Sequence, residues 1–208
     1  MIRVPLSLLC VVFFGGCAVG VKHQYDNITP ETKFQTRAKI AVGVHDQRSY
    51  VVNGQKTPTF VGLSRGGFGN PFDVNTASGQ PLANDFRNSI ASGLSKAGAN
   101  IARVDLSQTV KPEEALRLMR GAGADKALLV TIDEWKVDTF SSVNLNYELR
   151  VVVLGPSGQL ALKRLSGDEQ IGSSLMNPVG TSREVAPVAY KKKLEEILSD
   201  PAIARALQ

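Results

Sequence analysis

The sequence predicts an α+β protein: a single mixed, mainly antiparallel sheet with three helices packed largely on one face. Val143, Leu145, Tyr147, Leu149, Val151 and Val153 alternate with Asn144, Asn146, Glu148 and Arg150, the period of a strand with one dry face. Leu82, Phe86, Ile90 and Leu94 recur every fourth residue, the period of a helix with one apolar stripe. The order of such segments is strand, helix, strand, helix, three strands and a helix, which suits one sheet with helices laid against it. No repeat period competes with this reading.

Taken from the start, Arg3 precedes an apolar run from Val4 to Phe14 broken only by Pro5 and Ser7, and Gly15 and Gly16 lead to Cys17. This is the layout of an export signal, and the run is shorter than the ~20 apolar residues that span a bilayer. Phe14-Gly15-Gly16-Cys17 resembles the bacterial lipobox, which implies cleavage after Gly16 and lipidation of Cys17. A plain secretory peptide cut near Gly16 is the alternative. Two or more acyl chains, at ~0.8 kcal/mol per buried CH₂, hold a protein stably on a membrane. Ala18 stands where an Asp would resemble the inner-membrane retention signal of enteric-type bacteria, so the expected location is the periplasmic face of the outer membrane. Cys10 leaves with the signal and Cys17 carries lipid, so no thiol remains for a disulfide, a metal or a nucleophile. The formal charge of +5 is modest; with export, nucleic acid drops out as a partner and anionic envelope surfaces remain.

Residues 1–16 thus read as a lipoprotein signal peptide and 17–37 as a lipidated N-terminus with a flexible tether. Residues 38–208 read as a single periplasmic domain with a Gly-rich insertion at 49–80. A flexible segment of ~20 residues spans ~25 Å, enough to stand the domain off the membrane. Ala38 to Val44 reads as the first strand, with Ile40, Val42 and Val44 on one side. In the insertion, Tyr50-Val51-Val52-Asn53-Gly54-Gln55 reads as a hairpin on the Asn-Gly signal. Pro81 to Lys96 is the first helix, closed by Gly98, and Asp85 and Lys96 suit its dipole. Ala99 to Leu106 is a strand, and Pro112 opens a second helix through Arg120. Ala127 to Val137 is a central strand, and Gly155-Pro156-Ser157-Gly158 turns the 143–153 strand back into Gln159 to Ile171. After a loop at 173–182, a helix begins near Ser182 or Glu184 and runs to Leu198, with Tyr190, Leu194, Ile197 and Leu198 on one face. Lys191, Lys192 and Lys193 are expected on its wet side. Asp200-Pro201 caps a final turn containing Ile203 and Leu207.

The candidate site is the run from Thr59 to Phe72. Phe60, Leu63, Phe68 and Phe72 stand on a glycine-bearing backbone beside Arg65, which suits either a flap over a sheet edge or a partner-binding loop. Gly62-Leu63-Ser64-Arg65-Gly66 matches the Gly-x-Ser-x-Gly elbow of serine hydrolases. Both histidines, His23 and His45, precede Ser64, against the chain order of that triad, and the glycines after it cannot begin a helix. No catalytic residue, cofactor or metal is therefore expected, and both histidines read as solvated. Asp133 and Glu134 are strand neighbours pointing to opposite faces, so they do not form a carboxylate pair. Trp135 reads as packing beside a helix.

With the lipobox, the strand ending Asp46-Gln47-Arg48, the helix from Leu82 to Gly98, the three-strand meander and the ending Leu198-Ser199-Asp200-Pro201-Ala202-Ile203, the chain resembles the YajG-like family of bacterial outer-membrane lipoproteins. The insertion from Ser49 to Gln80 departs from that pattern. The resemblance implies a lipid-anchored envelope protein with no catalytic residues, one that binds or positions another envelope component. A topological likeness to periplasmic lipoproteins that assist transporters or secretion channels supplies an alternative, an auxiliary subunit of a trans-envelope complex. A serine esterase using Ser64 is the third reading.

Overall fold

The computed structural model describes residues 20–66 and 68–208, so Gly16 and Cys17 lie outside the described residues. Along the chain run β1 (Lys22–His23), β2 (Lys39–Asp46), α1 (Ser49–Val52), β3 (Phe60–Arg65), β4 (Pro71–Thr76), α2 (Leu82–Lys96) and β5 (Asn100–Val104). Then come α3 (Pro112–Arg120), β6 (Lys126–Thr139), β7 (Ser142–Gly155), β8 (Gly158–Ser173), α4 (Pro178–Ser199) and α5 (Pro201–Leu207).

All eight strands belong to one sheet whose spine is β6. One edge of β6 pairs antiparallel with β7, which pairs antiparallel with β8. The other edge is shared: residues 126–132 run parallel to β2, and 137–139 run parallel to β3. The sheet extends beyond β2 through β5, and beyond β3 through β4 and then β1. Four of these seven pairings are parallel, so the sheet is mixed and not mainly antiparallel. The cause is in the connections. α1 lies in the connection from β2 to β3 and α3 in that from β5 to β6, and each such crossover returns the chain parallel, whereas β4, which turns back from β3, runs opposite to β5.

Among the described residues there are five helices rather than three, because a single turn forms at α1 and Pro201 separates α5 from α4. α2, α4 and α5 cover one face through Leu82, Phe86, Ile90, Leu94, Tyr190, Leu194, Ile197 and Ile203. α3 lies on the other face, where Ala115 and Met119 pack on Ala41, Ala127, Leu129 and Leu154. Gly43 leaves room for it; a Cβ there would meet the Met119 sulfur.

β6 serves both layers through a bulge. Leu128, Val130 and Ile132 face the larger core, yet so do Trp135 and Val137, although the side-chain period is two. The register slips between Ile132 and Glu134 against an unbroken β7, which makes Asp133 the extra residue and restores the inward stripe. β7 itself follows the alternation read from the sequence.

The expected tether is corrected from Gly20 onward. Residues 20–37 lie on the domain: β1 pairs with β4, Tyr25 is fully buried, and Phe34 is buried. Gly93 of α2 lets the segment lie close, since a Cβ there would sit 2.8 Å from the Pro30 carbonyl oxygen. The Thr36 N–H donates to the Ala97 carbonyl at 3.0 Å and the Thr36 hydroxyl to the Leu207 carbonyl at 2.9 Å. The insertion is corrected as well. Ser49–Val52 is one helical turn, not a hairpin arm, and 60–76 is a strand pair within the sheet. The last helix starts earlier than expected, at Pro178, where the Asn177 side chain accepts from the Gly180 N–H at 2.9 Å.

Candidate functional site

The residues expected to form a partner loop are divided by the sheet. Phe60 is a buried strand residue under Tyr50, with ring centroids 5.4 Å apart. Leu63 is half-buried on β3, opposite Asp138 of β6. Arg65 forms a two-pronged pair with Asp138 at 2.9 and 2.6 Å. Only Phe68 and Phe72 reach solvent broadly, at the turn between β3 and β4.

The Gly-x-Ser-x-Gly match has a packing cause. Ser64 lies buried inside a strand rather than at a strand-to-helix turn, and Gly62 is required because a Cβ would sit 2.1 Å from the Val137 carbonyl oxygen. Gly66 belongs to the hairpin turn, where its N–H donates to Asn70 at 3.0 Å.

A different serine meets a histidine, and the sequence reading missed it. His23 Nε2 lies 2.8 Å from Ser182 Oγ, the Thr139 hydroxyl donates to the same oxygen at 2.9 Å, and His23 Nδ1 lies 3.4 Å from the Tyr25 hydroxyl. The indole N–H of Trp135 donates to that hydroxyl at 3.3 Å. All five side chains are buried. Burial, with Arg183 nearby, lowers the His23 pKa to about 4, so the ring is neutral and uses one nitrogen as donor and one as acceptor. This is a clasp joining the N-terminal segment to β6 and α4. A burial signal was present in Val21, Tyr25, Ile28 and Phe34, four apolar side chains in a stretch otherwise read as polar. His45 is buried too, beside Gln47 at 2.9 Å, and burial lowers its pKa.

Two further polar clusters fasten the frame. Asp46 and Arg48, both buried, pair at 2.8 and 2.7 Å, and the guanidinium also donates to the carbonyls of Phe60 and Pro58 at 2.5 and 3.3 Å. Arg48 thus locks β2 to the start of β3. Lys193, expected on the wet side of its helix, is buried instead. Its ammonium bonds Glu169 at 2.7 Å and the Tyr147 hydroxyl at 2.8 Å. Burial opposes its charge, but those bonds outweigh it and hold the pKa above the ordinary lysine range.

The surface best arranged to meet a partner is the sheet face away from α4, beyond the reach of α3. Lys136 and Asp138 of β6, Asn144 and Asn146 of β7 and Asp168 of β8 frame an open depression of about 340 Å³ there. Arg65 borders it through its pair with Asp138, and Asp133 and Arg150 pair at 3.2 Å further along the same strands. These side chains offer donors and acceptors of both charges. Among the described residues, no cluster of His, Cys, Asp and Glu is arranged to hold a metal, and no helix is long and apolar enough to cross a membrane.

No family model matches the chain, and no curated protein sequence matches it. Among solved structures it is similar to the protein XCC0632 from Xanthomonas campestris, of the DUF330 family, at 14% identity and a TM-score of 0.52, with 85% of this chain and 90% of that one covered. That likeness supports the fold. More distant similarities are to the PelC dodecamer from Paraburkholderia phytofirmans, at 15% identity, 82% and 91% coverage and a TM-score of 0.43. Lipoprotein GNA1162 from Neisseria meningitidis has 14% identity, 75% and 98% coverage and a TM-score of 0.28.

Proposed function

We propose that the protein is a lipid-anchored component of the bacterial envelope, held through Cys17 at the periplasmic face of the outer membrane, that binds or positions another envelope component without chemistry of its own. The observation that carries this reading is the open face of β6, β7 and β8. A broad strip of sheet is left uncovered and lined by Lys136, Asp138, Asn144, Asn146 and Asp168, an arrangement suited to hydrogen bonding with a protein surface. Ser64 and the His23–Ser182 pair are both buried, which favours binding over hydrolysis.

The test is a photo-crosslinking residue placed at Asn146 in the lipidated chain in living cells, with the same residue at Leu160 as control. A discrete adduct from Asn146, lost when Lys136 and Asp168 are both changed to Ala, supports the reading. Equal yields from Asn146 and Leu160, or none from either, refute it. Adducts with a transporter or channel protein would identify the component as part of a trans-envelope machine.

A further inference from the structure

We propose that one end of the sheet is a membrane-contact tip that rests in the interface of the bilayer holding the lipid of Cys17. The inference rests on the lipid-anchor reading and adds an orientation to it. The strand register fixes which loops share that end. Phe72 stands opposite Ser64, Ser64 opposite Thr139, Thr139 opposite Val143, and Val143 opposite Gly172, a single row across five neighbouring strands. Just beyond this row lie the β3–β4 turn, the β6–β7 turn and the loop from β8 into α4, and the Ser174 N–H donates to the Ser141 carbonyl between the last two at 3.0 Å.

These loops present Phe68, Leu175 and Met176 at 99%, 87% and 96% exposure, with Phe72 and Phe140 about half exposed beside them. Apolar side chains so placed gain free energy on leaving water, and grouped at one end they mark a contact surface. The segments 66–72, 139–143 and 171–182 contain no Lys, Arg, Asp or Glu, so entering the interface strips water from no ionised group of theirs.

The start of the described chain selects a bilayer as the occupant. β1 runs parallel to β4, with Lys22 opposite Asn75 and His23 opposite Thr76, so residues before Lys22 head toward Phe72. Gly20 falls level with Asp73, next to the tip. Cys17 precedes it by three residues, a reach of at most ~10 Å when fully extended. Lipid on Cys17 therefore enters the membrane within that distance of Gly20, on the side of the tip where β4 begins at Pro71 and Phe72. The acyl chains and the tip then act as two linked membrane contacts, the second strengthened by the closeness imposed by the first.

The chain has no free thiol once the signal is removed and Cys17 is acylated, so single cysteines can be labelled cleanly. In the lipidated protein on vesicles of phosphatidylethanolamine and phosphatidylglycerol carrying nitroxide-labelled acyl chains, a polarity-sensitive fluorophore is placed at Phe68→Cys, Met176→Cys or Leu160→Cys. Leu160 lies near the β7–β8 turn, at the other end of those strands. The Phe68 and Met176 labels are expected to shift to shorter wavelength and lose intensity to the nitroxide, and the Leu160 label to do neither. Aqueous emission from Phe68 and Met176 in protein that still floats with the vesicles overturns the tip and leaves the anchor standing. A wavelength shift without quenching also overturns it, since a second copy or another protein would then cover the loops. Failure of the chain to float removes the anchor, and the tip with it.

Discussion

His23 and Asp85 flank the buried Tyr25 and respond to pH with opposite sign, which makes the packing of the N-terminal segment measurable. Burial lowers the His23 pKa from 6.5 to about 4, so the folded state binds fewer protons there than the unfolded chain. Its contribution to stability is full above pH 6.5 and is lost as pH falls toward 4, about 3 kcal/mol in all. Asp85 is buried on α2 beside Ser78, and burial raises its pKa from 3.8 to about 6, against the bond from Ser78. The folded state binds more protons at this group, so its contribution is favourable below pH 3.8 and is lost as pH rises through 6, again about 3 kcal/mol. In the native protein the two trends nearly cancel. His23→Gln should gain about 3 kcal/mol relative to the native chain on acidification from pH 7 to 4, and Asp85→Asn should lose about as much. Urea unfolding at closely spaced pH values reads both differences, with the contributions of unaltered groups cancelling in each comparison. Differences that stay level with pH in both variants would show that these side chains are hydrated in solution and that the segment is not packed as described.

Tyr25→Ala removes an aromatic side chain from a fully buried cluster with Trp135, Phe86 and Tyr190 and should cost about 3–5 kcal/mol, with proteolysis then clipping within residues 20–37 before the rest of the domain. Asp46→Asn leaves the buried Arg48 charge uncompensated and should cost about 3–5 kcal/mol by urea unfolding. Gly62→Ala drives a methyl group into the Val137 backbone, and a loss of about 1–3 kcal/mol is expected, measured as a lower Tm. Ser64 should not be labelled by an active-site phosphonate, and labelling that vanishes in Ser64→Ala would reinstate the esterase reading. Radiolabelled palmitate should enter the native chain and not Cys17→Ser, which should also leave the membrane fraction.

The parts of the fold that were legible in the sequence are those whose periodicity is unbroken: α2, α3, β7 and the strand after it. The bulge at Asp133 was not, because the successive apolar residues Leu128, Leu129 and Val130 give no strict alternation for an extra residue to break, and only the register against β7 exposes the slip. β3 and β4 were hidden by glycines, which weaken strand propensity, although Gly62 is demanded by close backbone packing. The N-terminal segment crosses other elements as an extended strap with no period of its own, so Tyr25 and Phe34 gave no secondary-structure signal. Lys193 sits in a run of three lysines, and its burial depends on Glu169 and Tyr147, brought near only by the tertiary fold. Of the expected site, Arg65, Phe68 and Phe72 remain at the surface, while Phe60 serves the interior. The open face of β6 to β8 was visible only as the polar half of an alternating strand, since the sequence does not say which half a helix covers.

The sharing of one edge of β6 by β2 and β3 has a consequence for how the molecule is made. A chain made from its N-terminus delivers β2 and β3 long before residues 126–139, so both must wait for a partner more than 60 residues downstream. Distant pairings of this kind slow folding and prolong the exposure of unpaired strands. Maturation should accordingly be governed by the arrival of that central strand, and a chain cut short before Lys126 should be a substrate for proteases rather than a folded fragment.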